Sequence, residues 1–329
     1  MLGPGVCWAD QKYKNFYRRN LLRIGITGGA GFIGSHLARR CLADGHEVKV
    51  LDDLSTGKLE NIENLNLDLI DESIVSAHAI ESFMYDLDFV FHLAALGSVP
   101  RSLTNPRSTF DANVTGSFNL LEALRKRNIP SVFISSSSVY GNLNQNPKRE
   151  ENVGFPLSPY AASKATMEKF IESYRSAFNL KILVFRLFNV FGPKQRFDHE
   201  YSAVIPKWIN LALQGKSIEI YGDGTITRDF TFVDEVIDVL LASLDKVSLF
   251  NEMNVINLAF GRAITLNDIS YILQNHFQSL EIIYGPARAS DIVNSTSSSE
   301  RLRKYFPEVR ERLFEDCFYD TLRWIVDNA

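Results

Sequence analysis

A glycine-rich segment between an apolar run and a helix-like pattern constrains the fold of this chain more than any other feature. Residues 22–26 lead into residues 27–34, which read TGGAGFIG, and apolar residues then recur at helical spacing. Gly28 and Gly31 permit a tight turn that approaches a pyrophosphate, and Gly34 permits close packing of helix against strand. The helix N-terminus adds free N–H groups and a partial positive charge. This order of strand, turn and helix predicts a dinucleotide-binding unit.

A carboxylate follows the second apolar run. Asp52 comes 18 residues after Gly34, where an acidic side chain can accept hydrogen bonds from both hydroxyls of an adenosine ribose. The same charge repels a 2′-phosphate, and no arginine directly follows Asp52. The pattern therefore favours NAD over NADP. The alternative is an ordinary glycine-rich turn, and it explains neither the strand, the helix nor Asp52.

Short apolar runs alternate with helix-length segments from residue 22 to about residue 190. The runs are LLRIGITGG, HEVKVLD, LDFVFHLAA, PSVFISSS and KILVFRLF. Such runs indicate parallel strands that are buried on both faces and joined by crossover helices. Beyond residue 190 the alternation gives way to irregular segments such as YGDGTITRDF. We predict an α/β fold: a doubly wound parallel sheet (Rossmann) over residues 21–190, and a smaller mixed α/β substrate domain over 191–329, with segments that can interleave.

The charge balance and the apolar pattern argue against several classes of partner. The 329 residues carry 35 basic and 39 acidic side chains, a net charge of −4, which provides no global field for nucleic acid or an anionic membrane. No apolar run reaches the length of about 18 residues that a membrane span needs. Residues 1–20 lack the apolar stretch of a signal peptide. We interpret them as an N-terminal extension that packs on the body as a short amphipathic helix, with an expression remnant as the alternative.

The cysteine count bears on the compartment. Cys7, Cys41 and Cys317 are odd in number and have neither CxxC nor metal-ligand spacing. A disulfide framework is therefore not expected, and a reducing, cytoplasmic compartment is favoured. No metal site is predicted.

The segment SPYAASK, residues 158–164, carries the strongest chemical signal. Ser158 suits a helix N-cap and Pro159 the first helical position, which places Tyr160 and Lys164 one turn apart on one helix face. A lysine ammonium beside a phenol lowers the phenol pKa from about 10, so Tyr160 becomes usable as a general base. Lys164 could also bind the nicotinamide ribose. The alternative is a solvated helix with an incidental tyrosine and lysine.

Four serines follow a predicted strand at residues 135–138. The carboxyl ends of strands in a doubly wound sheet face the ligand crevice, so these hydroxyls can hydrogen-bond a reacting sugar oxygen. A serine-rich loop without a role is the alternative.

These motifs, together with HLAALGSVPRS (92–102), SSSSVYG (135–141), FNVFGPKQ (188–195) and YSAVIPKW (201–208), resemble the extended short-chain dehydrogenase/reductase family of nucleotide-sugar enzymes, from residue 22 onward. Within that family they look most like UDP-N-acetylglucosamine 4-epimerases. The resemblance implies a catalytic triad of Ser136, Tyr160 and Lys164. It also implies that Tyr160 takes the 4-hydroxyl proton while carbon 4 passes a hydride to NAD⁺, and that the resulting 4-keto sugar rotates and receives the hydride on its other face.

The resemblance further implies contacts with NAD along several segments. The expected residues are Gly28, Gly31, Phe32, Ile33, Gly34, Asp52, Leu54, Ser55, Thr56, Gly57, Leu93, Ala94, Ala95, Asn113, Tyr160 and Lys164. The adenine pocket is assigned to Asp68 and Leu69, although the family has a glycine before this aspartate and Leu67 stands there in this chain.

A UDP-sugar is the expected substrate, and the resemblance assigns it a second set of residues. These are Ser98, Ser136, Ser137, Asn189, Ala203, Val204, Lys207, Trp208, Tyr221, Arg228, Arg288, Asp291 and Ser295. An arginine guanidinium suits the diphosphate because it offers two parallel donors. Trp208 and Tyr221 could form part of a uracil pocket, with core packing as the alternative for either ring. Arg262 stands one position before the arginine of the family pattern and is not carried over.

The serines after Ser136 separate the possible reactions. Related sugar 4,6-dehydratases resemble this frame but have an Asp-Glu pair where Ser137 and Ser138 stand, and related decarboxylases have a glutamate at the position of Ser138. A serine cannot act as an acid near neutral pH, so both reactions are disfavoured. The resemblance implies that glucose-restricted epimerases have a bulky tyrosine at the position of Ser295. The smaller serine of this chain leaves room for an N-acetyl group.

The resulting hypothesis is an NAD-dependent 4-epimerase that interconverts UDP-N-acetylglucosamine and UDP-N-acetylgalactosamine, with UDP-glucose and UDP-galactose as a further pair. The alternatives are a UDP-uronic-acid 4-epimerase, another NAD-dependent nucleotide-sugar dehydrogenase or reductase, and a non-catalytic NAD-sensing protein. The resemblance also implies a homodimer formed by helices around residues 105–127 and 159–178.

Overall fold

A computed structural model describes residues 21–197, 202–287 and 294–329. The predicted N-terminal extension, Arg288 and Asp291 lie outside the described residues. The strands, in chain order, are β1 Arg23–Thr27, β2 Glu47–Leu51, β3 Asp68–Ile70, β4 Phe89–His92, β5 Ser131–Ser136, β6 Ile182–Leu187, β7 Val190–Phe191, β8 Ile218–Tyr221, β9 Thr227–Arg228, β10 Thr231–Phe232, β11 Val255–Leu258, β12 Ile264–Thr265, β13 Ile282–Gly285 and β14 Asn294–Ser295.

The helices connect these strands. In chain order they are α1 Phe32–Ala43, α2 Ala77–Phe83, α3 Val99–Thr104, α4 Pro106–Phe110, α5 Gly116–Arg127, α6 Pro159–Phe178, α7 Val204–Leu213, α8 Val233–Ser243, α9 Phe250–Met253, α10 Leu266–His276, α11 Glu300–Tyr305 and α12 Phe314–Asn328. A π-helical segment, Asp111–Thr115, joins α4 to α5, and a short 3₁₀ turn, Ser137–Tyr140, follows β5.

A parallel sheet organises the molecule. Among the described residues, seven strands form it in the order β11-β6-β5-β4-β1-β2-β3. The direction of strand succession reverses between β1 and β4, and ligands of such sheets bind outside the carboxyl ends of the strands at this switch point. The predicted doubly wound fold is confirmed, and each of the five apolar runs supplies one of its strands.

Both faces of the sheet are buried, as the unbroken apolar runs predict. Successive side chains of a strand point to opposite faces, and along β5 Val132 and Ile134 join one core cluster while Phe133 joins the other. Residues of α1 and α8 complete the first cluster, and residues of α5 and α6 complete the second. The strand ends are therefore fixed between two helical layers.

The second half of the chain is mixed in structure and interleaves with the first. Strands β8 and β13 form a parallel pair, and β12, β9 and β14 form a small sheet. Strand β11 pairs with β6 in the main sheet, and α8 packs against α1, so parts of the predicted second domain complete the first. The division at residue 190 stays a prediction. No helix among the described residues is long and apolar enough to cross a membrane.

Candidate active site

The turn after β1 is built so that backbone can lie close to a ligand. Gly28 has a φ of +73°, and a Cβ at this position would lie 2.7 Å from the backbone nitrogen of Ala94. A Cβ on Gly34 would lie 2.1 Å from the carbonyl oxygen of Gly28. Gly31 is the N-cap of α1. The tight turn predicted at Gly28 and the close packing predicted at Gly34 fit this geometry, whereas Gly31 has an ordinary φ of −72°. The turn aims the N-terminus of α1 at the carboxyl edge of the sheet.

Asp52 lies directly after β2 and is 8% exposed. Its carboxylate accepts hydrogen bonds of 2.9 Å from the backbone N–H groups of Ala30 and Leu54. Burial raises the pKa of Asp52, and these two hydrogen bonds oppose the rise. Leu54, with a φ of +55°, shapes this turn through its backbone, and a Cβ on Gly57 would lie 3.0 Å from an oxygen of Asp52. The acidic group is thus held in place by the glycine turn and the loop after β2.

A cavity of about 420 Å³ opens at this edge of the sheet. The residues predicted from the sequence that line it are Gly28, Gly31, Phe32, Ile33, Gly34, Asp52, Ser55, Thr56, Leu93, Ala94, Ala95, Ser98 and Ala203. Four basic residues that the sequence analysis did not single out also line it: Lys58, Arg101, Lys194 and Arg196. Arg101 and Lys194 belong to the segments HLAALGSVPRS and FNVFGPKQ, which carry the family resemblance. Membership of these segments is the sequence feature that could have identified them as residues of the site. The cavity combines a helix N-terminus with several cations, which suits a phosphate-bearing ligand.

The assignment of Asp68 and Leu69 to an adenine pocket needs correction. Asp68 is the first residue of β3, at the opposite end of the strand from the ligand edge, and it is exposed 3.9 Å from the ammonium of Lys49. Leu69 packs against the core. Asp71 follows the carboxyl end of β3 and lies near enough to Asp52 to raise the pKa of its carboxyl. The structure places Asp71, not Asp68, at the ligand edge.

Helix α6 brings the tyrosine and lysine of the predicted triad to the same edge. The predicted helix start is confirmed: α6 begins at Pro159, and the Ser158 hydroxyl accepts a 3.1 Å hydrogen bond from the N–H of Ala161. The Tyr160 side chain lies near Ser136, the last residue of β5. The Lys164 ammonium, 4% exposed, donates a 2.8 Å hydrogen bond to the carbonyl oxygen of Ile134.

The titration of this pair differs from the sequence-based expectation. Burial raises the pKa of Tyr160 above its ordinary value, and the neighbouring Ser136 side chain acts in the opposite direction. Burial lowers the pKa of Lys164 to about 8, while the charge of Glu168 raises it. The expectation that Lys164 lowers the pKa of Tyr160 is wrong for this geometry, because desolvation of the phenol dominates and the ammonium donates to backbone.

Asn113 links the loop after β4 to α6 from a buried position in the π-helical segment. Its side-chain oxygen accepts a 2.8 Å hydrogen bond from the N–H of Leu96, and its amide donates to the Ser163 hydroxyl at 3.0 Å. π-Helical segments inside α-helices are frequent at functional sites. Asn113 does not line the cavity, but its partner Leu96 does, so Asn113 supports one residue of the cavity wall and ties it to α6.

The sequence analysis missed His92, which lies beneath this loop. Its ring nitrogens contact the hydroxyls of Thr27 and Ser117 at 2.7 and 2.8 Å, and the side chain is 1% exposed. Burial, reinforced by the charge of Lys164, lowers the pKa of His92 to about 3. The imidazole is therefore neutral near pH 7 and bridges β1 to α5.

We expect His92 to make the folded state sensitive to acid. Below pH 6.5 the unfolded imidazole binds a proton, while the folded one stays neutral until about pH 3, so the free energy of unfolding decreases as the pH falls through this window. The loss from this group is at most about 1.4 kcal/mol per pH unit. Urea unfolding of the wild type and of His92→Gln between pH 7 and pH 5 measures it. Equal losses of stability in the two proteins would contradict the prediction.

Some predicted substrate residues gather around β9. Arg228 in β9 is the register partner of Ser295 in β14, and the N–H of Asp229 donates to the carbonyl oxygen of Ser295 at 3.2 Å. The side-chain amide of Asn189 donates to the carbonyl oxygen of Asp229 at 3.1 Å. Buried Asp229 accepts from the N–H groups of Gly261, Arg262 and Ser297.

Other predicted substrate residues lie elsewhere. Trp208 is 5% exposed within the apolar core, as the core-packing alternative has it. Lys207 lines a second cavity, together with residues such as Phe197. The Tyr221 hydroxyl donates to Glu219 at 2.6 Å. Val204 begins α7 beside Ala203, and Ser137 opens the turn after Ser136.

Arg262 is occupied by other charges, which agrees with leaving it out of the substrate set. Its guanidinium is 8% exposed and pairs with Glu235 at 2.5 Å and with Glu311 at 2.9 Å. Two carboxylates at this distance leave the guanidinium no free charge for a diphosphate.

Comparison with known proteins extends these observations. A family model described as the NAD dependent epimerase/dehydratase family matches residues 24–259. The UDP-glucose 4-epimerase of Mycolicibacterium smegmatis is 38% identical to this chain over 231 residues, which make up 67% of this chain and 72% of that protein.

Solved structures agree with the chain over most of its length. The UDP-N-acetylglucosamine 4-epimerase from Methanobrevibacter ruminantium, in complex with UDP-N-acetylmuramic acid, superposes with a TM-score of 0.87 at 37% identity and covers 94% of this chain and 100% of its own. The UDP-glucose 4-epimerase of Thermotoga maritima, with UDP-glucose, gives a TM-score of 0.86 at 30% identity and covers 93% and 99% of the two chains. The similarity thus includes the sheet and the smaller C-terminal part.

Proposed function

The chain belongs to the NAD dependent epimerase/dehydratase family, and we propose that it interconverts UDP-N-acetylglucosamine and UDP-N-acetylgalactosamine by inverting carbon 4. The observation that carries the proposal is the position of Tyr160, which lies close enough to Ser136 at the carboxyl edge of the sheet to be affected by it, with Lys164 one helical turn along α6 and bonded to the carbonyl oxygen of Ile134. UDP-glucose and UDP-galactose form a further candidate pair.

NAD is the cofactor of this family, and the cavity residues fit it. The neighbouring backbone lies so close to Gly28 and Gly34 that a Cβ at either position would collide with it. Because both residues are glycine, a pyrophosphate can approach the N–H groups at the start of α1. The buried carboxylate of Asp52 is placed for ribose hydroxyls. The chemistry that NAD would supply when bound is reversible acceptance of the hydride from carbon 4 of the sugar.

The chain's own residues manage the proton at the 4-hydroxyl group. Tyr160 takes this proton as the phenolate when the carbon–hydrogen bond breaks, and as the resulting phenol it returns the proton when the bond forms again on the other face. The Ser136 hydroxyl donates to the same sugar oxygen and stabilises its negative charge. Lys164, whose pKa is about 8, is largely protonated near neutrality and provides positive charge next to the reaction. Proton and hydride both return, so no net oxidation occurs.

The β9 region supports binding of the diphosphate and the sugar. Arg228 offers a guanidinium to phosphate oxygens, and its register partner Ser295 is half-buried beside it. The Asp229 carboxylate, just after β9, accepts hydrogen bonds from the N–H groups of Gly261 and of Ser297, just after β14. The positions of Arg228 and Ser295 are therefore coupled.

Incubation of the purified protein with UDP-sugars, without added NAD, tests the proposal. We expect inversion at carbon 4, because the cofactor is regenerated in each turnover. Proton NMR of the product mixture measures this inversion. Stoichiometric formation of NADH would overturn the proposal in favour of a net dehydrogenase. Turnover of UDP-uronic acids alone would favour the uronic-acid 4-epimerase instead.

We expect Ser295→Tyr to remove activity toward the acetylated pair selectively. A tyrosine beside Arg228 fills the space that a serine leaves for an N-acetyl group, so kcat/KM for UDP-N-acetylglucosamine should fall by at least about tenfold relative to that for UDP-glucose. Ser295→Ala, which keeps the space, serves as the control and should retain both activities. Equal losses toward both pairs would contradict a gate at this position.

We also propose a homodimer through α5 and α6. Phe118 of α5 and Phe170 of α6 are exposed, with ring centroids 5.5 Å apart. Phe178 continues this apolar surface through Tyr174, and Phe110 of α4 is also exposed. An isologous contact that buries these rings suits a two-fold dimer. Light scattering that gives the mass of a single chain would contradict this part of the proposal.

A further inference from the structure

A buried ion pair lies behind the proposed catalytic residues. The guanidinium of Arg186 on β6 donates two hydrogen bonds, of 3.0 and 2.7 Å, to the two oxygens of Glu168 on α6. The two side chains are 5% and 10% exposed. Removing two charges from water is costly, and such pairs are weak evidence for a gain in stability. The remaining contacts of the pair point to another role.

Those contacts reach the chain on both sides of Ser136. The Ser135 hydroxyl donates to a Glu168 oxygen at 2.5 Å. The Arg186 guanidinium also donates to the Tyr140 hydroxyl at 3.0 Å, at the end of the turn that follows Ser136. Tyr140 in turn donates to the side chain of Asn257 on β11 at 2.6 Å. The ion pair therefore fixes the residues that precede and follow the proposed catalytic serine.

The same pair fixes α6 against β5. Glu168 lies one helical turn after Lys164 and two turns after Tyr160. Lys164 bonds the carbonyl oxygen of Ile134, and Glu168 bonds the hydroxyl of Ser135. Consecutive residues of the strand thus hold consecutive turns of the helix, directly before Ser136.

We propose that Glu168 and Arg186 are positioning residues, which hold the helix that carries Tyr160 and Lys164 in register with the strand end that carries Ser136. This positioning role rests on the proposed function, because it assumes that Ser136, Tyr160 and Lys164 catalyse the inversion at carbon 4. Positioning matters at this scale, because a displacement of about 1 Å can lower the rate by about 10²-fold.

Glu168 also acts on the charge of Lys164. The groups that face Lys164 are Tyr160 and Glu168 on its own helix and His92 on β4, and Arg186 on β6 lies behind Glu168. His92 is neutral near pH 7 because its pKa is about 3. The negative charge of Glu168 raises the pKa of Lys164 and so opposes the effect of burial. Its loss is expected to make Lys164 release its proton at lower pH.

Two variants of Glu168 separate charge from geometry. Glu168→Gln keeps the shape of the side chain and loses its charge, and Glu168→Asp keeps the charge on a shorter side chain. We expect kcat to fall by about 10- to 100-fold in both variants, with KM for the UDP-sugar and the NAD content unchanged. The pH at which kcat declines on the alkaline side should move down in Glu168→Gln and stay in place in Glu168→Asp. Arg186→Lys should lower kcat in the same way.

A second readout does not depend on turnover. The pKa of Lys164 can be followed by NMR of protein that carries ¹³C at the lysine ε-carbon, with Lys164→Arg to assign the signal. We expect a lower pKa in Glu168→Gln and an unchanged pKa in Glu168→Asp. If the wild-type protein does not invert carbon 4, the proposed function fails, while this titration still decides the electrostatic role.

Glu172→Gln is the matched control, because Glu172 lies one turn further along α6, is 63% exposed and pairs with the exposed Lys169 on the same helix. Its kcat and its Lys164 pKa should equal those of the wild type. A Glu168→Gln protein with a lower melting temperature but wild-type kcat and Lys164 pKa would overturn the proposal. If Glu168→Gln does not fold, Glu168→Asp and Arg186→Lys decide: unchanged kcat in both overturns it.

Discussion

Tyr160→Phe is expected to lower kcat for inversion at carbon 4 by about 10³-fold, because it removes the group proposed to take and return the 4-hydroxyl proton. The phenol is the natural candidate on geometric grounds. It lies near Ser136 at the carboxyl end of β5, and burial raises its pKa, so its proton is released only when the surrounding charges favour the phenolate. The residual rate should come from Ser136 and from orientation of the sugar.

The measurement is initial-rate kinetics of both proteins at saturating UDP-sugar, with the NAD content determined after denaturation. KM and NAD content should stay near the wild-type values, since a phenylalanine ring fills the same space. Ser136→Ala should cause a smaller loss, because the serine stabilises charge but holds no proton of the reaction.

Tyr174→Phe is a control on the same helix. The Tyr174 hydroxyl donates a 2.6 Å hydrogen bond to Glu122 on the neighbouring α5, so the change removes one part-buried hydrogen bond, worth about 1 kcal/mol. We expect full activity and a slightly lower melting temperature. A Tyr160→Phe protein that retains a tenth or more of the wild-type kcat would rule out Tyr160 as the acid and base.

Local patterns were sufficient to predict the elements that carry the site. Val132, Phe133 and Ile134 are all apolar, so a strand buried on both faces was the expected interpretation, and β5 packs that way. The start of α6 followed from Ser158 and Pro159, because an N-cap hydrogen bond spans only three residues. Neither inference needs knowledge of distant segments.

The errors concern quantities that only the folded chain determines. Strand β3 has three residues, and so short a pattern does not show which aspartate stands at its carboxyl end: the resemblance favours Asp68, whereas Asp71 follows the strand there. The pKa of Tyr160 depends on burial, which distant segments create. His92 gave no signal because its partners Thr27 and Ser117 lie 65 and 25 residues away along the chain.

Gly34→Ala is expected to weaken cofactor binding by about 100-fold, the second large effect. A Cβ at this position would lie 2.1 Å from the Gly28 carbonyl oxygen and 2.8 Å from the Gly29 Cα. Both obstacles are backbone atoms, so no side-chain rotation can relieve the contact, and the turn itself must move away from α1. Losing two hydrogen bonds to a charged phosphate, at about 1.5 kcal/mol each, weakens NAD binding by about 100-fold.

Helix propensity alone gives the opposite expectation, which makes this substitution informative. Gly34 lies inside α1, where alanine is favoured over glycine by about 1 kcal/mol. If the close approach of backbone atoms did not matter, Gly34→Ala would be neutral or stabilising. A fall in both bound NAD and activity can therefore be attributed to the shape of the turn.

Gly215→Ala provides the matched control for this experiment. Gly215 has a φ of +65°, and a Cβ at this position would meet no atom within 4 Å. Alanine there strains the backbone but collides with nothing, and Gly215 does not line the cavity beside Gly34. Such strain costs about 1 kcal/mol, and we expect lower stability with normal NAD content. NAD is measured by absorbance after acid release, and by isothermal titration of the stripped protein. A Gly34→Ala protein that retains NAD as the wild type does would mean that the turn can adjust, and that the cofactor is held mainly by Asp52 and the basic residues of the cavity.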